Sequence, residues 1–511
     1  MNRTDRRALF CLCALWALLL LIAWPRGPFP LDDDFAGALV VRRLLETGRY
    51  QPHGWLSMNF VSQALWGALF GGSFQGLRLS TQLLALVGML ATWGLVREAG
   101  AEPLPAALGA AALLVHPIWF ALSSTFMTDV PLTALLALSL WLHARARRLG
   151  SSRLLLAAHA VSLFALLDRQ NGIAVPIAAF LCSLLLDRAQ PRRIALAALG
   201  LNAALAVQLG FAHWLRVSQP PAALQHYGKE AALFFEALRG EHELHPFRNA
   251  AVLSLYLGLS LLPAALALQT RRAWIWLLAS VPIALFVVQS DLALPLIPNI
   301  LRDLGVGPLT LKGALFNLRG PSPWPRAPQG VWAAVTALAA LGALRVLWEL
   351  RLVREPARVL ALACVVVLAG PLFFVPLHDR YVLPFLPPLL ALLAPGLRVR
   401  PAAMAALALS AAFSVCATHD WFAWNRARWS LLARLHTQGV TPARIDGGFE
   451  FNGLRSYRPD YSAQRGKSTW WVQDDEYVVA FAPLPGRTVT DEAKFTRWLP
   501  PGEGSVLVLK R

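Results

Sequence analysis

The chain has 511 residues, 56% of them hydrophobic, with a mean hydropathy of +0.50. Soluble domains are usually about 45–50% apolar, so this composition excludes an ordinary soluble protein and places the chain in a membrane class. The net charge of +18 does not indicate nucleic acid: the arginines form short clusters between apolar runs, where they set topology and attract anionic lipid headgroups.

Taken in chain order, the first apolar segment is Ala8–Trp24, preceded by Arg3, Arg6 and Arg7. No small-residue cleavage site follows it, so it reads as a retained anchor. Next comes "GPFPLDDDFAGALV", with Asp32, Asp33 and Asp34 in a row, opening a loop over residues 25–78. Within that loop "FAGALVVRRLLETGRY" and "MNFVSQALWGALFGG" have apolar residues at helical spacing, which predicts helices lying in the interface plane. Further candidate spans are Leu79–Val96, Leu104–Leu122, Val130–Ala146, Leu154–Leu167, Ile173–Leu186, Ile194–Leu215, Ala250–Leu268, Ala273–Val288, Val331–Leu347, Val359–Val375, Tyr381–Leu393 and Ala402–Ala417. The total is about 11–13 spans at roughly 20 apolar residues per crossing.

The positive-inside rule orients them. Clusters such as Arg145, Arg147, Arg148 and Arg153, then Arg188, Arg192 and Arg193, then Arg271 and Arg272, alternate with loops bearing Asp32–Asp34, Asp129, Asp168, Asp291 and "HDRY". An odd number of spans, N-terminus in the cytoplasm and C-terminus outside, fits this alternation. Past Ala417, "THDWFAWNRARWSLLARLHTQGV" predicts an amphipathic helix, with Trp421, Trp424 and Leu431 or Leu432 on one face. "ARIDGGFEFNG", "EYVVAFAPLP" and "SVLVLKR" predict short strands. The expected fold is therefore an α-helical integral membrane portion, residues 1–417, followed over 418–511 by that helix and a small outer-face α/β domain. The cysteines, Cys11, Cys13, Cys182, Cys364 and Cys416, all lie in apolar runs without metal spacing and read as buried small hydrophobes.

The chemistry-bearing residues gather on the outer side. Asp32, Asp33 and Asp34 are either a solvated acidic loop or a cluster held at the rim of a cavity. Asp129 in "SSTFMTDVP" caps the next helix or joins that cluster. Converging carboxylates can bind an acceptor, hold a divalent cation, or take a proton from a hydroxyl. Arg169 in "LLDRQNGIAVP" and Arg380 with Tyr381 in "PLHDRYVLPFLPP" are anchors, partners of the adjacent Asp168 and Asp379, or clamps for a phosphate, whose oxygens a guanidinium matches in pairs. His53, His116 and His378 lack the spacing of a zinc site. Motifs for nucleotide hydrolysis or serine chemistry are missing from the sequence.

In order and in side of the membrane, these elements resemble the GT-C glycosyltransferases, in the branch of bacterial enzymes related to protein O-mannosyltransferases and the aminoarabinose transferase of lipid A. They are an acidic group after the first span, "FMTDVP", an R-x-NG element and "RYVLPFLPPLLAL". The resemblance covers roughly residues 1–417. It implies a sugar donor carried on polyprenyl phosphate, an acceptor hydroxyl on a glycolipid, polysaccharide or protein, and inverting transfer at the outer face of a bacterial inner membrane. It further implies a catalytic carboxylate within the triplet, here Asp33 or Asp34, with Asp129 as the second acid. Asp32, Arg169, Arg380, Tyr381 and His53 would bind substrate. No cofactor is required, although the aspartates could take a divalent cation. Close relatives carry Asp-Glu and a lysine where this chain has Asp-Asp-Asp and arginine, which leaves the sugar unassigned. The alternatives are a transporter or flippase of envelope lipids, whose ionisable groups would lie nearer the midplane, and a non-catalytic envelope assembly protein.

Overall fold

The computed structural model describes residues 3–241, 246–269, 294–312, 326–350, 353–463 and 470–511, with isolated positions 278, 281, 282, 285 and 324. Apart from those isolated positions, the expected span Ala273–Val288, with Arg271, Arg272 and Asp291, lies outside the described residues. Arg3–Ala23, Phe74–Glu98, Pro191–Ser218, Gln329–Leu350 and Pro401–Thr437 are helices long and apolar enough to cross a membrane, by length and composition. Phe10, Leu209 and Leu409, on three of them, are largely exposed. Such surface is unfavourable against water and neutral against lipid, and the chain is a multi-pass membrane protein.

Several expected spans are interrupted, each at proline. The run Leu104–Leu122 is two helices, Pro103–Leu114 and Pro117–Leu122. Pro117 has no N–H to continue the ladder, and His116 Nδ1 accepts the Trp119 N–H at 3.4 Å to start the second piece. Ala250–Leu268 divides into Pro246–Ser260 and Leu262–Ala267, with Pro263 at the restart. Tyr381–Leu393 is no regular span: a 3₁₀ segment Asp379–Phe385 leads into the helix Leu386–Leu393. Pro384, Pro387 and Pro388 deprive that stretch of backbone donors.

The amphipathic helix expected after residue 417 is the second half of one unbroken helix, Pro401–Thr437. At 37 residues and 1.5 Å per residue it is about 55 Å long. Met404 and Leu409 near its start are exposed, while Trp421, Trp424 and Leu431 near its end are fully buried. That buried end packs on a four-stranded sheet in the order Ile445–Asp446, Tyr477–Ala480, Pro501–Lys510, Thr488–Trp498. The first pair is parallel and the others antiparallel. Asp420 accepts the backbone N–H groups of Trp498 and Leu499 at 2.8 and 2.9 Å, fastening sheet to helix. "FEFNG", expected as strand, instead opens the helix Phe449–Ser456.

Charge is sorted to the two ends of the helices. Phe74–Glu98 begins near Asp34 through Arg78 and ends where Arg97 pairs with Asp5 and Glu98 with Arg145 and Arg148. Asp129–Leu149 carries Asp129 at its start and Arg147 and Arg148 in its last turn. The carboxylates at the other end are each paired with arginines, whereas Asp34 and Asp129 lie at the end where the 25–78 loop and the helix Phe449–Ser456 also lie.

Candidate functional site

The aspartate triplet sits at the junction between the first helix and the helix Asp34–Thr47. Asp32 has φ 52, a left-handed conformation that a short polar side chain tolerates better than most. This turn sends the three carboxylates to different partners. Asp34, 1% exposed, is tied to backbone: its Oδ1 accepts the Phe126 N–H at 2.6 Å and its Oδ2 the Leu31 N–H at 3.2 Å. Burial pushes its acid up to about 7, against the pull of Arg78 and of those two N–H groups. Arg78 donates to the carbonyls of Gly27 and Phe29, so the loop before the triplet is pinned from the next long helix.

Asp33 is the most accessible of the three carboxylates. Its Oδ1 accepts the Trp55 indole N–H at 2.6 Å, and its Oδ2 lies 3.8 Å from Arg380 Nη1. Asp32 is buried, and its Oδ2, 3.9 Å from the same nitrogen, has no hydrogen-bond partner. Burial first and the Asp33 charge second raise its pKa well above the usual carboxylate range, with Arg380 opposing.

Asp129 completes the group from the other side. It does not cap its helix: its Oδ1 pairs with Arg169 Nη1 at 2.9 Å, and its Oδ2 stands 3.9 Å from Arg380 Nη1. Arg380 thus stands within 4 Å of three carboxylates. Its burial opposes the charge, but Asp129, Asp32 and Asp33 outweigh that and raise its pKa further. The aspartate next to Arg380 is held by backbone instead. Asp379 accepts the backbone N–H groups of Asn299, Ile300 and Leu301 at 2.6 to 3.2 Å, which leaves Arg380 to the acidic cluster. Arg169 lies over the Tyr381 ring at 5.9 Å, so Tyr381 borders the site through that arginine.

Asp33, Asp129, Arg169 and Arg380 line one small cavity, walled by Phe60, Phe126 and Gly37. A side chain at Gly37 would meet Phe60 at 2.7 Å, so the cavity needs a glycine there. His53 is not part of this cavity. It lies against the Tyr457 ring at 4.3 Å and lines a separate cavity of about 490 Å³ with Arg42, Arg43 and Arg455. Burial, with Arg43 adding, lowers the His53 pKa to about 4. Among the described residues no group of three or more His, Cys, Asp or Glu is arranged to hold a metal ion.

Three neighbours of the cluster had no signal in the sequence. Trp55 sits in an irregular loop, Arg78 lies inside an apolar helix, and Glu450 comes from the C-terminal domain. Glu450 Oε1 accepts the Asp32 N–H at 3.2 Å; its Oε2 receives Arg428 Nη1 at 2.7 Å and the Thr310 hydroxyl at 2.6 Å.

Fold and site together define a mostly helical, multi-pass membrane protein with an acidic, arginine-bearing site at one end. Residues 58–215 match the model of the dolichyl-phosphate-mannose-protein mannosyltransferase family. That segment holds Asp129 and Arg169 but neither the aspartate triplet nor Arg380. Among solved structures, ArnT from Cupriavidus metallidurans in the apo state is 17% identical, with 97% of both chains covered and a TM-score of 0.44. The same protein bound to undecaprenyl phosphate is 16% identical over 97% of both chains, with a TM-score of 0.41. Archaeal oligosaccharyltransferase AglB from Archaeoglobus fulgidus, in complex with an inhibitory peptide and a dolichol-phosphate, is 13% identical, covering 84% of this chain and 60% of that one, with a TM-score of 0.42. Likeness at these scores places no side chain. No individual curated protein matches the chain.

Proposed function

We propose that this protein transfers a sugar from a polyprenyl-phosphate donor to an acceptor hydroxyl, with inversion, at the outer face of a bacterial inner membrane. The observation that carries the reading is Arg380 within 4 Å of Asp32, Asp33 and Asp129, beside a second arginine on Asp129. Such a site offers one accessible carboxylate for a proton and two guanidinium groups for a phosphate.

In this reaction the acceptor oxygen attacks the anomeric carbon from the face opposite the phosphate. The new C–O bond forms as the bond from that carbon to the phosphate oxygen breaks. The hydroxyl proton passes to Asp33, the carboxylate that is accessible and aimed by Trp55. The electron pair leaves on the polyprenyl phosphate, where Arg380 and Arg169 meet the growing charge in a site of low dielectric. Asp32 and Asp129 keep Arg380 ionised and oriented, and Asp34 is structural. The guanidinium stands between carboxylates where a divalent cation would otherwise bridge them, so Arg380 supplies the positive charge.

The test is mass spectrometry of envelope glycans and glycolipids from a deletion strain, complemented with wild type or Asp33→Asn. One glycosylated species should disappear on deletion and return only with wild type. An unchanged profile on deletion refutes the reading; restoration by Asp33→Asn refutes the base.

A further inference from the structure

The helix Asp129–Leu149 has 21 residues, about 30 Å at 1.5 Å per residue, and therefore runs from the acidic site to the opposite end of the molecule. Another cavity opens there, of about 370 Å³, lined by His143, Arg147, Asp187, Arg192, Arg193 and Leu196. Three guanidinium groups face one carboxylate. Asp187 takes Arg147 in a paired contact, both distances 2.6 Å, and Arg193 at 3.5 Å. Arg192 has no ion pair or side-chain hydrogen bond among the described residues. His143 is 5% exposed, and its Nε2 has no hydrogen-bond partner.

The backbone adds to this positive surplus. The cavity wall includes Ser151, Ser152 and Pro191, the starts of the helices Ser152–Asp168 and Pro191–Ser218. Helix starts attract anions through their dipole, although the Ser151 hydroxyl already accepts the Leu154 N–H and the Gln190 carbonyl the Arg193 N–H. Gln190, at the cap of the longer helix, contributes no side-chain hydrogen bond. Clusters of arginine that only set topology need neither a cavity nor converging helix starts.

The remaining wall is apolar, with Leu155, Leu196 and Leu360 inside. The neighbouring Leu149, Leu185 and Leu186 are exposed at 52%, 59% and 38%. A soluble anion has no use for such a rim, whereas a molecule with a phosphate and fatty chains matches both parts. We propose that this cavity holds the phosphodiester headgroup of an anionic phospholipid, countered by Arg192 and Arg193, with its acyl chains lying over Leu149 and Leu186. The site is independent of the transfer reaction at the other end.

Native mass spectrometry of the full-length protein with added phosphatidylglycerol or phosphatidylcholine tests this. Phosphatidylglycerol should bind wild type more tightly, and Arg192→Glu with Arg193→Glu should weaken it by tenfold or more, at about fivefold per arginine. Phosphatidylcholine should bind both proteins alike. Arg192→Gln breaks no existing ion pair and should show about half of the logarithmic loss, which keeps the test open if the double variant misfolds. Equal affinity of wild type and Arg192→Gln for phosphatidylglycerol overturns the proposal. So does displacement of the lipid by millimolar inorganic phosphate, which would assign the cavity to a soluble phosphate-bearing ligand.

Discussion

Arg169 Nη1 and Asp129 Oδ1 meet at 2.9 Å with both side chains nearly inaccessible, 7% and 5% exposed. Removing one partner of a buried pair strands the other charge and typically costs about 3–5 kcal/mol. Asp129→Asn keeps an acceptor for Arg169 but loses the charge, so a fall at the lower end of that range is expected. It should appear as a lower melting midpoint in detergent. Binding of polyprenyl phosphate should not weaken, because a negative charge has left its neighbourhood. Unchanged melting with lost lipid binding would contradict this assignment.

Asp33→Asn should reduce sugar transfer by about 10²- to 10⁴-fold, the usual contribution of a positioned base. The indole of Trp55 can still donate to the amide oxygen, so membrane abundance and melting should stay near wild type. A single-turnover assay with purified protein and a synthetic polyprenyl-phosphate sugar measures the loss. Retained turnover would move the base elsewhere.

Arg380 faces three carboxylates, and its loss acts twice. Arg380→Gln should abolish transfer and weaken binding of the lipid phosphate. Arg380→Lys, a point charge without the planar fork, should restore the melting midpoint better than it restores turnover. Equal rescue of both by lysine would show that only charge matters there.

Asp34 makes stability depend on pH. Its carboxyl titrates near the ordinary 3.9 when unfolded and at about 7 when folded. The folded state therefore holds the proton through that window, and stability present below about pH 4 is lost as pH rises to about 7. The difference between 3.9 and about 7 corresponds to roughly 4 kcal/mol. Asp32, raised by the same burial, adds a slope of the same sign. Melting measured between pH 4 and 8 should fall less steeply in Asp34→Asn than in wild type; identical slopes would contradict the burial of Asp34 as an acid.

Much of this was legible in the residue order. Apolar runs separated by arginines marked the helices, and charge sorting put Asp32–Asp34, Asp129, Arg169 and Arg380 on one side, where the fold brings most of them together. What was hidden depended on particular contacts. Arg169 and Asp129 are forty residues apart, and no spacing rule links them. The break at Pro117 and the 3₁₀ course after Asp379 are backbone effects that average hydropathy does not register. The resemblance put His53 among the substrate-binding residues, yet its ring lines a cavity apart from the acids, while the indole of Trp55, two residues on, donates to Asp33. The helix Pro401–Thr437 looked like two elements because its surroundings change midway, from an exposed apolar surface to a packed sheet, while its backbone does not.

Glu450 holds the backbone of Asp32 across 418 positions. During synthesis the acidic corner is made long before its clasp. A nascent chain that has already threaded most of its helices still carries an unfastened triplet, and truncation before the helix Phe449–Ser456 would leave it so. Assembly order itself thus withholds a finished acidic corner until the helix Phe449–Ser456 has been made.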